Sequence, residues 1–137
     1  MIVHAIIGIL MIVATCLVHT LVTYLVFYIL HKQLYGKSIL RRIMHVNYIV
    51  VIATMAALIE ATIWSGAYLA IGAFHSFEEA LYFSFVTFTT LGYGDIVLKQ
   101  GFRLLGSLEA ANGVIMFGWS TAIVITAIQK VYFQSTK

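Results

Sequence analysis

Proline is absent from the chain, cysteine occurs once, and charged residues fill only 9% of 137 positions. Without proline, a bend in any long helix has to come from glycine or a local helix irregularity. Cys16 alone makes neither an internal disulfide nor a thiolate metal cluster. The five histidines show no ligand spacing, so no resident metal centre is expected. No nucleophile–base pair is recognisable either, so neither an enzyme nor a cofactor is expected, and no nucleic-acid partner. So little charge beside 62% hydrophobic residues excludes a soluble domain, whose surface needs far more polar cover.

What the chain has instead is three long apolar runs: Ile2 to Leu30, about Ile43 to Phe74, and about Leu104 to Ile128. Each exceeds the roughly 20 residues that a helix needs to cross a bilayer. None alternates at period two, so barrel strands are not expected. The first run has no Lys or Arg before it, is too long, and lacks a small-x-small cleavage pattern, so it reads as a span rather than a signal peptide. Lys32, Lys37, Arg41, Arg42, Lys130 and Lys137 fall on one side of the spans, Lys99 and Arg103 on the other. The positive-inside rule then puts the N-terminus outside and the C-terminus in the cytoplasm of a cell-membrane protein, plasma or inner. Tyr24, Tyr28, Tyr35 and Tyr48 suit the inner interface, Trp64 and Tyr68 the outer one.

Between the second and third runs, residues 73–102 begin and end on the same face. Ser76 with Glu79 forms a capping-box signature. About three apolar turns follow, too short to span but suited to a re-entrant helix whose C-terminus favours a cation. Next comes "TTLGYGD", Thr89 to Asp95. Irregular backbone at membrane depth is tolerated where protein buries it or where it lines a watery path. Gly92 and Gly94 supply the left-handed dihedrals that turn successive carbonyls to one side, and such a row replaces the water shell of a monovalent cation.

TLGYGD resembles the selectivity filter of tetrameric potassium channels. The likeness covers roughly residues 43 to 130, because "GVIMFGWSTA" from Gly113 to Ala122 is similar to that family's pore-lining helix. It implies an all-α membrane protein: three transmembrane helices with a re-entrant pore helix and filter loop between the second and third. The implied division is an accessory N-terminal helix over 1–31, a basic cytoplasmic loop over 32–42, and a pore domain over 43–137. Within that domain lie an outer helix at 43–74, a pore helix at 76–88, the filter at 89–95 and an inner helix at 103–130.

The resemblance further implies K+ coordination by the carbonyls of Thr90, Leu91, Gly92 and Tyr93, with Gly94 completing the filter. Thr90 Oγ1 adds the innermost ligand, and Tyr93 points away into an aromatic cuff. Asp95, Tyr82, Phe83 and Val86 would support the filter. Val86 replaces a carboxylate found in some relatives, so Asp95 needs another partner, such as Tyr82. Val114, Phe117, Thr121 and Ile125 match positions facing the conduction path, and Gly113 is the candidate hinge. The expected function is passive, potassium-selective conduction by a homotetramer in the lipid bilayer, with permeant K+ as the only bound species. A non-selective cation channel, and a non-conducting or K+-sensing subunit closed at Phe117 and Ile125, are the alternatives.

Spans one and two lack the spaced arginines of a voltage sensor. Candidate modulatory groups are His19, Glu60, Glu109 and His75. His19 and Glu60 fall at similar depth, which allows them to pair, and structural hydrogen bonding is the favoured role for the intramembrane groups. Glu109 is expected to brace the filter from behind or to pair with a neighbour. His75 is expected to be a solvated loop residue, with pH sensing as its alternative role.

Overall fold

The computed structural model describes residues 2–33 and 38–132; Tyr35, Lys37 and Lys137 lie outside them. The described residues form four α-helices and one 3-10 turn, with no strand: α1 (Ile2–Gln33), α2 (Ile39–Ala70), α3 (Phe77–Phe88), the turn Gln100–Phe102, and α4 (Arg103–Tyr132). Three of the helices are long and apolar enough to cross a membrane.

Length and composition explain why these segments are helical. A run of 32 residues at ~1.5 Å each is about 48 Å long, beyond the ~30 Å hydrocarbon core. Side chains such as Ile6, Ile9, Val13 and Leu17 are exposed on α1. A helix apolar on its outer side as well as its inner one is at home in lipid, where the backbone must satisfy itself.

α2 ends four residues before the 74 read from the sequence. Gly72 takes φ +69, its N–H bonds to Leu69 O at 3.0 Å, and Ala73 N–H reaches Tyr68 O at 2.9 Å. This pair of bonds is a Schellman ending, and glycine supplies the left-handed residue it needs. α3 starts after Ser76, which has extended N-cap backbone (φ −114, ψ 136) but makes no side-chain capping bond. The capping box expected from Ser76 and Glu79 is therefore not formed. Glu79 is exposed, so water is available to the first-turn N–H groups in its place. Glu78 and Glu79 still put negative charge at the positive end of the helix dipole.

α3 sits against α2 and α4, and α1 packs along both of those long helices. The larger core lies around α3 and joins Trp64, Tyr68, Phe74, Phe83, Phe88 and Leu105. Tyr68 and Phe83 meet edge to face at 5.3 Å and 87°, a favoured aromatic arrangement. A second cluster, Val26, Ile49, Ile123 and Ala127, closes the other end of the bundle.

Candidate functional site

The strap from Thr89 to Asp95 begins where α3 stops. Three of the helix's last carbonyls are taken by the turn that follows: Thr89 N–H bonds Phe85 O (3.0 Å), Thr90 N–H bonds Thr87 O (2.9 Å), and Gly92 N–H reaches back to Val86 O (3.2 Å). Beyond this anchor the backbone alternates. Thr90, Gly92 and Gly94 have φ of 59, 58 and 78°, every second residue in the left-handed region. For the glycines this carries no Cβ penalty. For Thr90, a β-branched residue, it costs on the order of 1–2 kcal/mol, so the surrounding bonds must hold it there. All seven residues are exposed in the single chain.

Asp95 closes the strap onto α3. Tyr82 Oη donates to its carboxylate at 2.6 Å, and that bond is the main reason the Asp95 carboxyl is held below the usual range. The same bond raises the pKa of the Tyr82 phenol. Phe83 turns the other way, into the core against Tyr68 and Phe74.

Behind α3, Glu109 of α4 gathers two hydroxyls. Tyr68 Oη of α2 donates to it at 2.6 Å, and Ser84 Oγ of α3 makes a short bond to its other oxygen. Ser84 Oγ also reaches Ala61 O at 2.6 Å. All three side-chain partners are fully buried. One carboxylate thus joins three helices directly beneath the strap's anchor.

Gly113 lies where α4 crosses the end of α3. A Cβ there would stand 1.9 Å from the Phe88 carbonyl oxygen and 2.8 Å from its carbon. Close approach of the two backbones, rather than bending, is the demand this glycine meets in the structure. Along the neighbouring face of α4, Val114, Phe117, Thr121 and Ile125 are exposed together, and Phe117 touches the Phe88 ring at 5.9 Å.

The remaining candidates are His19 of α1, Glu60 of α2 and His75, which lies between α2 and α3. His19 Nδ1 and Glu60 Oε1 are 2.8 Å apart and buried, while His19 Nε2 lies 3.4 Å from Ser120 Oγ. His75 is exposed. Among the described residues, no group of three or more His, Cys, Asp or Glu is placed to hold a metal ion.

Several participants were not read from the sequence: Tyr68 and Ser84 on Glu109, the left-handed Thr90, and Asn112, whose Nδ2 donates to Thr15 Oγ1 at 2.8 Å. The last had a signal. Thr15 and His19 are four apart, and polar groups on one face of an apolar helix mark a helix contact.

A family profile described as "Ion channel" matches residues 47–130. The chain belongs to that ion-channel family, the class to which the potassium-channel resemblance pointed, and is a multi-pass membrane protein of a channel rather than an enzyme family. Among curated proteins it is similar to the A-type voltage-gated potassium channel KCND3 of Rattus norvegicus and of Homo sapiens, each 31% identical over 87 residues. The match covers 61% of this chain but spans only 13% of the length of those relatives. No solved structure matches at the same significance.

Proposed function

We propose that the chain is the pore-forming subunit of a potassium-selective channel. In this reading four copies surround one axis, and Thr89 to Asp95 of each contributes a quarter of the filter. The observation that carries it is the alternation at Thr90, Gly92 and Gly94. A strap with every second residue left-handed presents consecutive carbonyls to one side, the arrangement that substitutes for the hydration shell of K+. The carbonyls of Thr90, Leu91, Gly92 and Tyr93, with Thr90 Oγ1, are the ligands in this reading.

Three further features support it. The strap follows a helix C-terminus, whose partial negative charge favours cations. Leu91 and Tyr93 are 54% and 68% exposed in one chain, so a cuff around Tyr93 requires neighbouring copies. An apolar groove of about 440 Å³ beside Phe85, Phe117, Thr121 and Ile125 likewise suits packing by another subunit. The relatives whose names specify potassium add their weight. The pore helix and strap are then re-entrant from the outside, with both the N-terminus outside and the C-terminus in the cytoplasm.

Phe117 and Ile125 are 40% and 50% exposed on α4. Four copies would make apolar rings able to shut a pore by dewetting, which favours a closed, non-conducting subunit as the second reading.

Flux into liposomes carrying the purified chain separates the two. Potassium uptake well above sodium uptake, abolished by Gly92→Asp, is the expected result. Uptake that survives Gly92→Asp would overturn the filter assignment. Silence in the wild-type tetramer, relieved by Phe117→Ala, would favour the closed subunit.

A further inference from the structure

α1 meets the rest of the molecule through polar groups that are individually buried yet incompletely paired. Thr15 and His19 lie one turn apart on α1, Glu60 and Trp64 one turn apart on α2. Asn112 and Ser120 lie on the α4 face that receives them. The cross-links fix the register. Tyr68 binds Glu109, and together with the Glu60–His19–Ser120 link this sets α2 antiparallel to α4. One turn further along both helices come Trp64 and Asn112, and the next turn brings Glu60, tied by His19 toward Ser120. Thr15 sits on the middle rung through Asn112.

Three polar atoms on these rungs have no protein partner among the described residues: Trp64 Nε1, Glu60 Oε2 and Asn112 Oδ1. All three side chains are fully buried. The orientation of Asn112 is dictated by its neighbour. Thr15 Oγ1 directs its one hydrogen to the backbone oxygens of Met11 and Ile12 at 3.1 and 2.9 Å, so toward Asn112 it only accepts. That places the amide nitrogen on Thr15 and leaves the carbonyl oxygen free. Likewise His19 occupies Glu60 Oε1 and leaves Oε2. Leaving such groups unpaired would cost on the order of 1–3 kcal/mol each.

We propose that α1, α2 and α4 enclose a site for one water molecule, bound by the Trp64 indole N–H, Asn112 Oδ1 and Glu60 Oε2. The count of donors and acceptors matches. Water accepts one hydrogen, from the indole, and donates two, to the carboxylate and the amide oxygen. Three bonds is the usual complement of a buried water. A metal cation is a poor match, because the indole N–H would face it. The water bridges α2 to α4 at the residue preceding Gly113, while Thr15 and His19 of α1 hold the other polar atoms of Asn112 and Glu60 in place. This site rests on the packing of α1 and is independent of whether the strap conducts.

The test is water-edited solid-state NMR of the full-length chain in lipid, labelled with 15N in its two indoles and assigned by Trp119→Phe. The expected result is a hydrogen-bonded Trp64 Nε1–H signal that receives magnetisation from water, and loss of that transfer in Asn112→Leu. A hydrogen-bonded indole with no transfer from water would mean a direct bond to Glu60, four residues before it, and would overturn the proposal. A signal at the position of a free indole would overturn it as well. The unaltered chain decides between these outcomes even where Asn112→Leu fails to fold.

Discussion

At Asp95 one phenol governs the acidity of a carboxylate. Tyr82 donates to it at 2.6 Å, and this bond is the largest influence lowering the Asp95 pKa. The bond's contribution to strap stability is complete above the ordinary carboxylate range, near ~3.9. It is lost as pH falls through the depressed folded-state value. Tyr82→Phe should therefore move the Asp95 titration upward toward that ordinary value, read from the side-chain carboxyl 13C shift as pH is varied. An unchanged titration would mean the bond is not formed in solution. Gly113 offers a second test at this scale. Because the obstructing atom is the backbone oxygen of Phe88, at 1.9 Å from a new Cβ, no rotamer change relieves Gly113→Ala. Overpacking costs about 1–3 kcal/mol, and the upper end is expected. Gly66 of α2 has nothing within 4 Å of its Cβ position, so Gly66→Ala should be neutral or stabilising through helix propensity. Thermal unfolding followed by tryptophan fluorescence in detergent would rank the two, and a Gly113→Ala chain as stable as wild type would refute the close approach.

Between elements, Glu109 is where α2, α3 and α4 are joined by side-chain bonds. Glu109→Ala orphans the buried Tyr68 hydroxyl, at a cost on the order of 1–3 kcal/mol, while Ser84 keeps its bond to Ala61 O. Tyr68→Phe should cost less, since it removes the donor and leaves Ser84 on the carboxylate. The double variant should then lose less than the sum of the two, by a coupling of roughly 0.5–3 kcal/mol. Strict additivity in unfolding measurements would show that the bond contributes nothing. This node also marks the boundary of what the sequence can say. The three spans were legible from apolar length, and the left-handed turns at Gly92 and Gly94 from residue type. Thr90 was not, because β-branching argues against the conformation that the anchored α3 terminus imposes on it. Tyr68 and Glu109 are 41 positions apart, Asn112 and Thr15 97 apart. Their meeting depends on helix register, set by how Trp64, Phe83 and Leu105 pack, and nothing local encodes it. His19 and Glu60 are equally distant but were approachable, since counting helical rises from the membrane boundary gives a common depth.

For the whole molecule, the exposed apolar surface is uneven in meaning. The outer side of α1 needs nothing but lipid. Val114, Phe117 and Ile125 on α4 lie instead on the helix that crosses the end of α3, next to a strap whose Tyr93 is 68% exposed in one chain. The potassium-channel reading accounts for both by placing three more copies around them. It also ties assembly to the permeant ion. If carbonyls from four straps share each bound K+, the ion binds the tetramer and not its separated chains, and mass action must then stabilise the tetramer as K+ rises. At 100-fold above the dissociation constant the gain is about 2.7 kcal/mol for one site. Sodium, held less well by the same oxygens, should give less. Heating the purified protein in K+ and in Na+ at equal ionic strength, and following the loss of the species of four 15.3 kDa chains by native mass spectrometry, measures this directly. A higher midpoint in K+, abolished by Gly92→Asp, is the expected outcome. Equal midpoints in a stable tetramer would detach assembly from ion binding and leave the strap without the role assigned to it.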